Sequence, residues 1–296
     1  MSRNALVGCV IVNWNGWRDT LLCLHALRAT DYQELLIVVV DNGSIDDSVE
    51  RIRSAYPEIR IVQTDKNLGF SGGNNAGIRE VMRHDVKYVW LLNNDTQPKL
   101  FALRELVRTA ESDYRLGAVG SVLHYTSDPG KIQAWGGGWI SLWTGYSSQA
   151  TERPRSGRRL DFLTAASLLV RRKALEDVGL MDDRFFLYWE DAELCFRLRR
   201  SGWKLGVASQ AIVLHNLNAS TSKSSTSIDR WYTYSAIRFL SQYSHVPQVA
   251  SFVFLSRRLL HRALSGKVKA MGHVLQGIRD YRNRDRWAPL PPSLVE

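Results

Sequence analysis

The stretch Tyr88-Val-Trp-Leu-Leu-Asn-Asn-Asp-Thr96 decides the fold, because an apolar run stops abruptly at three polar residues. The run predicts a buried parallel strand, and ligands of open α/β sheets lie at the carboxyl ends of such strands. A lone carboxylate there, Asp95, flanked by the amides of Asn93 and Asn94, suits a divalent cation that keeps several waters and takes its remaining ligands from a diphosphate. The same residues fit a plain turn in which Asp95 or Thr96 caps the next helix. This stretch by itself favours the two interpretations equally.

Strand and helix patterns alternate on both sides of this stretch. Continuous apolar runs at Ala5–Val12, Leu35–Val40 and Ile59–Val62 precede it, and another at Ala118–Leu123 follows it. Runs without polar alternation are typical of strands that helices cover on both faces. Five alternations with short turns predict an α/β fold with a mostly parallel sheet and right-handed crossovers.

The alternation stops between His124 and Asp161, where Gly, Trp, Ser and Tyr are frequent, and we expect irregular structure over one edge of the sheet. Regular structure resumes after it, with a helix that opens at Glu190. The remaining expectations are a helix from Pro98 to Ser112, a glycine-rich loop from Asn67 to Gly77, two short strands near Leu205–Val207 and Ala211–Leu214, and a Ser/Thr-rich connection from Ser220 to Ser227.

Composition excludes several classes of protein. The 296 residues are 45% hydrophobic and 23% charged, which is ordinary for a soluble globular chain. Three scattered cysteines without Cys-x-x-Cys spacing argue for a reducing compartment and against a structural zinc site or a disulfide framework. No apolar run reaches the ~20 residues of a membrane span, and the amino terminus does not resemble a signal peptide. We therefore expect a cytoplasmic protein.

The net charge of +10 is concentrated towards the carboxyl terminus, where Arg257–Arg286 holds nine Arg or Lys and two Asp. Such a segment suits an anionic lipid surface or nucleic acid. The helical pattern Val249–Leu264 combines apolar residues with Arg257, Arg258 and Arg262. It fits a helix lying on an anionic membrane, or equally a cap on the domain with a solvated basic side. Nucleic-acid binding is disfavoured, because few exposed rings are interleaved with the basic residues.

Two further strand ends carry polar side chains. Asp41 ends the second strand and can accept the ring N–H of uracil or thymine, although Asp-Asn-Gly-Ser is also a strong turn sequence. His215 ends the last strand and is a sensible second ligand if Asp95 holds a cation, although a lone histidine is more often a surface or core residue. The Asn67–Gly77 loop brings Asn74 to a helix start, where phosphate oxygens bind. It lacks the Gly-Lys-Ser/Thr ending of a P-loop, so a helix-entry loop is the simpler interpretation.

Glu190 and Asp191 open a helix beside the aromatic stretch Phe185–Trp189. Burial among rings raises the pKa of a carboxyl group, whereas a helix amino terminus lowers it. A carboxylate held between these two effects can act as a base toward a sugar or alcohol hydroxyl. First-turn acids more often only complement the helix dipole, and these residues alone favour that simpler role.

Together, these motifs resemble the family 2 inverting glycosyltransferases with the GT-A fold, and especially their bacterial rhamnosyltransferase-like branch. The resemblance covers about Ala5 to Asn216, with the motifs in the family's order. The resembling segments are Val10–Gly16, Val40–Ser44 with Asp46 and Ser48, Asn67–Phe70 with Gly72–Gly77, Leu91–Thr96, Gly179–Asp182, Phe185–Phe186, Glu190–Asp191 with Arg197 and Gly202, and His215.

The resemblance implies a nucleotide-diphospho-sugar donor and a divalent cation, Mg²⁺ or Mn²⁺, on its diphosphate. It implies that Asp191 is the general base with Glu190 beside it, and that Asp95 and His215 are metal ligands. The donor-binding residues that it implies are Val12, Asn13, Asn15, Asp41, Asn67, Gly69, Gly73, Asn74, Asn93, Asn94 and Asp95. The family's metal motif often carries two acids. The single acid of this chain therefore implies weaker metal binding that depends on His215 and the diphosphate.

The same resemblance implies a division of the chain and a class of substrates. Residues 1–227 form the GT-A domain, with a nucleotide-sugar-binding half to 123 and an acceptor-side half from 124, and residues 228–296 form a basic helical segment. The favoured donor is dTDP-L-rhamnose, while UDP-galactofuranose and UDP-N-acetylhexosamines stay open. The acceptor is a polyprenyl-diphosphate glycan or a growing surface polysaccharide, which places the protein on the inner face of the cell membrane. Trp135, Trp139 and Trp189 fit an acceptor surface, because indoles stack on sugar rings, or a loop that covers the core.

Other classes fit less well. A nucleotidyltransferase that makes sugar nucleotides should carry a basic, glycine-rich signature after the first strand, which Asn13–Trp17 lacks. A binding protein without catalysis is disfavoured because the sequence contains both Asp95 and Asp191. The glycosyltransferase interpretation also makes a geometric demand, since four distant side chains must converge on one cleft: Asp41, Asp95, Asp191 and His215.

Overall fold

The computed structural model describes residues 4–155, 158–216 and 225–283, without the side chains of residues 225–227. Most of the Ser/Thr-rich connection and residues 284–296 of the predicted basic segment lie outside the described residues. The strands are β1 Val7–Asn13, β2 Leu35–Asp41, β3 Arg60–Gln63, β4 Tyr88–Asn93, β5 Thr96–Pro98, β6 Leu116–Tyr125, β7 Ile132–Trp135, β8 Gly137–Ile140, β9 Ser147–Gln149, β10 Phe162–Leu163, β11 Ser167–Arg171 and β12 Lys204–His215. The helices are α1 Trp17–Arg28, α2 Ser48–Ala55, α3 Gly69–Val81, α4 Ala102–Ser112, α5 Arg172–Val178, α6 Glu190–Arg200, α7 Ser225–Tyr243, α8 Pro247–Leu264 and α9 Val268–Arg282.

One mixed sheet forms the centre of the molecule, in the order β3-β2-β1-β4-β11-β6-β12-β5 with β7 paired to β6. The strands β3, β2, β1 and β4 are parallel to one another, and so are β6 and β12, which confirms the mostly parallel α/β sheet. β11 runs antiparallel between β4 and β6. The parallel run that the alternation predicted is therefore interrupted after β4. Spacing along the chain predicts how many strands there are but not their order in the sheet.

Helices cover both faces of this sheet, as the continuous apolar runs predicted. Successive residues of β1 point to opposite faces, so Val10 belongs to one buried cluster, while Cys9 and Ile11 belong to the other. The first cluster is closed by residues of α3, α6 and α7, and the second by residues of α1 and α4. Each fully buried aliphatic side chain contributes roughly 1.5–3 kcal/mol relative to an exposed one, so the two clusters hold the strand ends in fixed positions.

The segment between residues 124 and 161 is more regular than predicted. It contains β7, β8 and β9, and β8 pairs with β9 and β10 in a second, three-stranded sheet. Gly137 and Gly138 bring the backbones close together, because a Cβ on either glycine would lie 1.9 Å from a carbonyl oxygen of the neighbouring strand. Strands of this kind carry no apolar alternation, which is why the sequence pattern did not reveal them.

Three predicted boundaries are also wrong. Pro98 ends β5, so the next helix begins at Ala102 and not at the proline. The predicted loop Asn67–Gly77 is helical from Gly69 onward, because its glycines let α3 approach β1: a Cβ on Gly77 would lie 2.3 Å from Val10 Cγ1. The two short strands near residues 205 and 214 are one strand, β12, with a register shift between Ala208 and Ile212.

The carboxyl-terminal helices are partly built into the domain. Phe239 and Leu240 of α7 are fully buried in the same cluster as Trp189. α8 and α9 pack outside α7 and carry exposed apolar side chains. Among the described helices, none is both long and apolar enough to cross a membrane.

Candidate active site

The carboxyl ends of β1, β2 and β4 place polar side chains next to one another. Asn13 lies opposite Asp41, and its neighbour Val12 lies opposite Asn93. Asn13 Nδ2 donates a hydrogen bond to Asp41 Oδ1 over 2.9 Å, and Asp41 Oδ2 accepts one from the backbone N–H of Ser44 over 3.2 Å. The turn role of Asp41 is therefore confirmed, and its role at a pyrimidine base stays a prediction.

A chain of hydrogen bonds joins this pair to the turn after β4. Thr20 Oγ1 donates to Asn13 Oδ1 over 2.8 Å and accepts from Asn94 Nδ2 over 3.1 Å. Asn15 has a positive φ of 48° and accepts the backbone N–H of Ile45 with its side-chain oxygen. These contacts hold the ends of three strands at the same edge of the sheet.

The side-chain amides near the start of α3 form hydrogen bonds with the protein's own backbone. Asn67 Oδ1 accepts the backbone N–H of Gly69 over 2.8 Å, and Asn74 Nδ2 donates to the carbonyl oxygen of Phe70 over 2.9 Å. Gly69 has a φ of +74°, and a Cβ there would lie 2.4 Å from the Phe186 carbonyl oxygen. A Cβ on Gly73 would likewise lie 2.9 Å from Val12 Cγ1, so both glycines permit close packing.

A cavity of about 640 Å³ opens between the strand ends and the amino terminus of α6. Five of the predicted site residues line it, together with Gln133 of β7, which sequence reasoning missed. The predicted ones are Asn93, Trp189, Glu190, Asp191 and His215. Side chains from β4, β7, α6 and β12, far apart along the chain, thus share one space.

Within the described part of the chain, several buried polar atoms that lack a hydrogen-bond partner belong to residues lining this cavity. They are Asn93 Oδ1, Gln133 Nε2, Trp189 Nε1 and Glu190 Oε2. Buried polar groups without a partner are rare in native proteins, because leaving one unpaired costs about 1–3 kcal/mol. A set that contains both donors and acceptors suits a ligand that offers many hydroxyl groups.

Asp191 is held in a fixed orientation at the cavity wall. Its Oδ1 accepts the backbone N–H of Ala192 over 2.7 Å, and its Oδ2 accepts that of Ala165 over 3.3 Å. Burial raises the pKa of Asp191 to about 6, against the lowering effect of these N–H groups. The residue is therefore mainly ionised at pH 7, yet close enough to its pKa to exchange a proton.

Glu190 differs from its neighbour. Burial, and then the charge of Asp191, raise the pKa of Glu190 well above its usual range. The backbone before it is strained, because Tyr188 and Trp189 both have a φ of 69°. This conformation costs roughly 1–2 kcal/mol for a residue with a Cβ. The two left-handed residues turn the chain so that α6 starts at the cavity.

Asp95 and His215 meet beside the cavity. β5 and β12 pair Thr96 with His215, and His215 Nε2 lies 3.3 Å from Asp95 Oδ1. Both residues are buried. A carboxylate and an imidazole, with the unpartnered Asn93 oxygen in the adjoining cavity, fit part of a Mg²⁺ or Mn²⁺ shell. No group of three or more His, Cys, Asp or Glu that could hold a metal occurs among the described residues.

The three tryptophans predicted for the acceptor side lie in different places. Trp189 borders the cavity and packs on Tyr232 and Phe239. Trp135 lines a separate, arginine-rich groove. Trp139 donates its Nε1–H to the Arg159 carbonyl oxygen over 3.0 Å. The acceptor role of Trp135 and Trp139 therefore stays a prediction.

The chain is similar to known proteins both in sequence and in fold. The model of the family described as glycosyl transferase family 2 matches residues 9–179. The chain is 29% identical over 223 residues to an N-acetylglucosaminyl-diphospho-decaprenol L-rhamnosyltransferase of Mycobacterium tuberculosis, covering 68% of this chain and 72% of that protein.

Two solved structures share the fold. GalNAc-T7 with UDP, GalNAc and Mn²⁺ superimposes with a TM-score of 0.66 at 16% identity, over 97% of this chain and 59% of that one. The mannosyltransferase PcManGT of Pyrobaculum calidifontis, in complex with GDP-Man and Mn²⁺, superimposes with a TM-score of 0.61 at 13% identity, over 99% and 79%. The predicted GT-A fold is thereby confirmed. Since the family model covers more than half of its length, the chain belongs to glycosyl transferase family 2.

Proposed function

We propose that this nucleotide-sugar-dependent glycosyltransferase moves L-rhamnose from dTDP-L-rhamnose to a hydroxyl group of a lipid-linked or cell-surface glycan, with inversion at the anomeric carbon. One observation carries the proposal: a cavity whose lining residues carry several unpartnered polar atoms is lined by both Asp191 and His215, and His215 lies 3.3 Å from Asp95. Such a cavity fits a sugar between a base and a diphosphate.

Asp191 is the proposed general base. It takes the proton of the acceptor hydroxyl while that oxygen attacks the anomeric carbon. The bond between the anomeric carbon and the diphosphate oxygen breaks, and its electron pair leaves with the nucleoside diphosphate. Because attack comes from the face opposite the leaving group, a single displacement inverts the configuration. Glu190, whose pKa is raised well above its usual range by burial and by the charge of Asp191, is proposed to bind a sugar hydroxyl beside the base.

Asp95 and His215 are the residues proposed to hold Mg²⁺ or Mn²⁺. When bound, the cation stabilises the negative charge that develops on the departing diphosphate. Asp41 is proposed to face the pyrimidine of the donor, and the donor-side residues of the half up to residue 123 complete the nucleotide site. The Mn²⁺ named with GalNAc-T7 and PcManGT supports a metal in this fold.

The acceptor class rests on the mycobacterial relative, whose name includes a diphospho-decaprenol. The outer helices add support for a membrane-bound acceptor. Phe252, Leu260 and Leu264 of α8 and Val268 of α9 are exposed apolar side chains. Lys267, at the end of the connection between these helices, is exposed next to them. An exposed apolar surface with a lysine beside it fits an anionic membrane face.

Two of the cations predicted to face the membrane do not contribute to this surface. Arg258 and Arg262 form ion pairs with the buried carboxylate of Asp229, so their charges join α8 to α7. Arg257 stacks over the ring of Tyr146. The proposed peripheral attachment therefore depends more on the apolar side chains than on the arginines.

A donor panel tests the proposal. We expect release of nucleoside diphosphate from dTDP-L-rhamnose in the presence of a polyprenyl-diphosphate glycan, and loss of that release when EDTA is added. Release from UDP-galactofuranose or a UDP-N-acetylhexosamine, but not from dTDP-L-rhamnose, would show that the donor is a UDP-sugar. The proposed reaction type would not change. Release from no donor, together with tight binding of any of them, would favour a binding protein without catalysis.

A further inference from the structure

Gln133 connects the proposed metal ligands to the cavity. Its side chain is buried, and its Oε1 lies 2.6 Å from His215 Nδ1. The other ring nitrogen, Nε2, lies 3.3 Å from Asp95 Oδ1. The imidazole is therefore held between an amide on one side and a carboxylate on the other.

A β-bulge places Gln133 in this position. In the pairing of β6 with β7, Leu123 lies opposite Ala134 and His124 lies opposite Ile132, so Gln133 is the extra residue between two matched pairs. A bulge of this kind redirects a side chain relative to its neighbours on the strand, and bulges are frequent beside active sites. The strand irregularity and the contact with His215 are two separate observations on the same residue.

The contact determines the tautomer of His215. A carbonyl oxygen only accepts hydrogen bonds, so Nδ1 must carry the proton that it receives. In the neutral ring, Nε2 then presents a lone pair toward the Asp95 carboxylate. Two electron-rich atoms at this distance are stabilised by a cation that both can bind. Metal-binding histidines commonly have their second nitrogen fixed by such a partner.

The other end of the same amide has no partner in the described part of the protein. Gln133 Nε2 is buried and has no partner among the described residues, and Gln133 lines the cavity with Asp191. An amide N–H in that place can donate to an oxygen atom of a bound nucleotide sugar. One side chain therefore contacts His215 and also belongs to the wall of the cavity.

We propose that Gln133 is a positioning residue: its carbonyl oxygen holds His215 with Nε2 free to bind the cation, while its NH₂ group donates to the nucleotide-sugar donor. This inference rests on the proposed metal site at Asp95 and His215. It assigns to β7 a function that neither the family model nor the relatives assign.

Two substitutions separate the contact of Gln133 with His215 from its proposed contact with the nucleotide sugar. Gln133→Glu retains an oxygen that accepts the Nδ1 proton but removes the NH₂ group. Gln133→Met retains the approximate shape and removes both. Gln149→Met is the matched control, because Gln149 lies at the edge of the same cavity and is exposed to solvent. Melting temperatures establish that each variant is folded.

Binding of Mn²⁺ alone, followed by the electron paramagnetic resonance signal of free Mn²⁺, is the first measurement. We expect Gln133→Met to weaken binding by about 10–100-fold, and Gln133→Glu and Gln149→Met to bind Mn²⁺ at least as tightly as the wild type. Wild-type affinity in Gln133→Met, or equal losses in Gln133→Met and Gln133→Glu, would overturn the proposal while leaving the metal site intact. A wild-type protein that binds no Mn²⁺ would overturn the metal site, and this role of Gln133 with it.

The second measurement does not depend on any variant at Gln133 being folded. The ¹⁵N resonances of the imidazoles, recorded with Mg²⁺ and assigned by comparison with His215→Gln, report the tautomer directly. A proton on Nδ1 of His215 supports the proposal, and a proton on Nε2 overturns it.

In steady-state kinetics, Gln133→Glu should raise the KM for the nucleotide sugar about 10-fold, because one hydrogen bond to the donor is lost. An unchanged KM would remove the donor contact from the proposal.

Discussion

The Asp191 carboxylate accepts a hydrogen bond from the backbone N–H of Ala165, with 3.3 Å between Oδ2 and the nitrogen. Ala165 lies in the connection between β10 and β11, whereas Asp191 lies in the first turn of α6. Both residues line the cavity. The contact therefore orients the proposed base from outside its own helix, and it favours the ionised form that the reaction requires.

Asp191→Asn tests the base. An amide cannot accept the acceptor's proton, so we expect kcat to fall by about 10²–10⁴-fold, while the affinity for the nucleoside diphosphate stays close to that of the wild type. In the wild type, kcat/KM should rise with pH through a midpoint near 6, the pKa of Asp191, because the base acts when ionised. Wild-type turnover in the variant would assign the base to another residue.

The same pKa predicts how Asp191 affects stability. Its folded-state pKa, about 6, lies above the value of 3.8 expected for an exposed carboxyl group, so the folded protein binds the proton more tightly than the unfolded chain. The contribution of Asp191 to the free energy of unfolding should therefore decrease as pH rises from about 4 to 6, by on the order of 1–3 kcal/mol. Urea unfolding of the wild type and Asp191→Asn at pH 4 and pH 7 measures this difference. A difference between the two proteins that is independent of pH would contradict the shift.

Trp189→Phe tests the unpartnered indole. The substitution keeps an aromatic ring against Tyr232 and Phe239 and removes the unpartnered Nε1–H of a residue that lines the cavity. We expect the melting temperature to change little and kcat/KM to fall about 10-fold, the value of one hydrogen bond to substrate. A large loss of stability with unchanged kcat/KM would mean that the ring only supports the fold.

Two glycine substitutions test the close packing of α3 on the sheet. Gly77→Ala should destabilise the fold by about 1–3 kcal/mol, because its Cβ would lie 2.3 Å from Val10 Cγ1 and 2.9 Å from Val40 Cγ2. Gly272→Ala in α9 is the control. Among the described residues, no atom outside the local backbone of α9 lies within 4 Å of a Cβ at that position, and alanine there should stabilise the helix by roughly 0.5–1 kcal/mol. Chemical denaturation measures the free energy of unfolding of both variants. Equal changes in that free energy would show that close packing at Gly77 is not the cause of the effect.

Vesicle co-sedimentation tests the proposed membrane surface. The double variant Phe252→Ser, Leu264→Ser removes two large exposed apolar side chains from α8. We expect it to bind vesicles containing anionic lipid about 10-fold more weakly than the wild type, because roughly 25 cal/mol is lost per Å² of apolar surface. Tyr114→Ser removes an exposed ring far from α8 in sequence and serves as the control. Equal binding by all three proteins would show that the apolar side chains of α8 do not contribute to vesicle binding.

Much of the candidate site could be predicted from local sequence, because several of its ionisable residues lie where strands end or a helix begins. Asp41 and His215 close apolar runs, and Asp191 opens a helix after an aromatic stretch. The carboxyl ends of parallel strands lie at one edge of a sheet, so a strand-ending polar residue is placed by the strand that precedes it. The mostly parallel fold with helices on both faces follows from the same runs.

Other features depended on contacts between distant segments. β11 enters between β4 and β6, and no local pattern predicts which strands become neighbours. Asn74, which the sequence suggested for phosphate, donates to the Phe70 carbonyl oxygen. Gln133 lies in a segment that looked irregular, yet it contacts His215, 82 residues further along the chain.

The sequence by itself therefore determined where the main apolar strands lie and which polar residues follow several of them, because burial and backbone preference act within a few residues. Only the tertiary structure decided which polar groups are hydrogen-bonded within the protein and which residues of the cavity carry polar groups without a partner. A hydrogen-bond partner is selected by strand order, bulges and side-chain packing, and these bring together residues that local sequence does not relate.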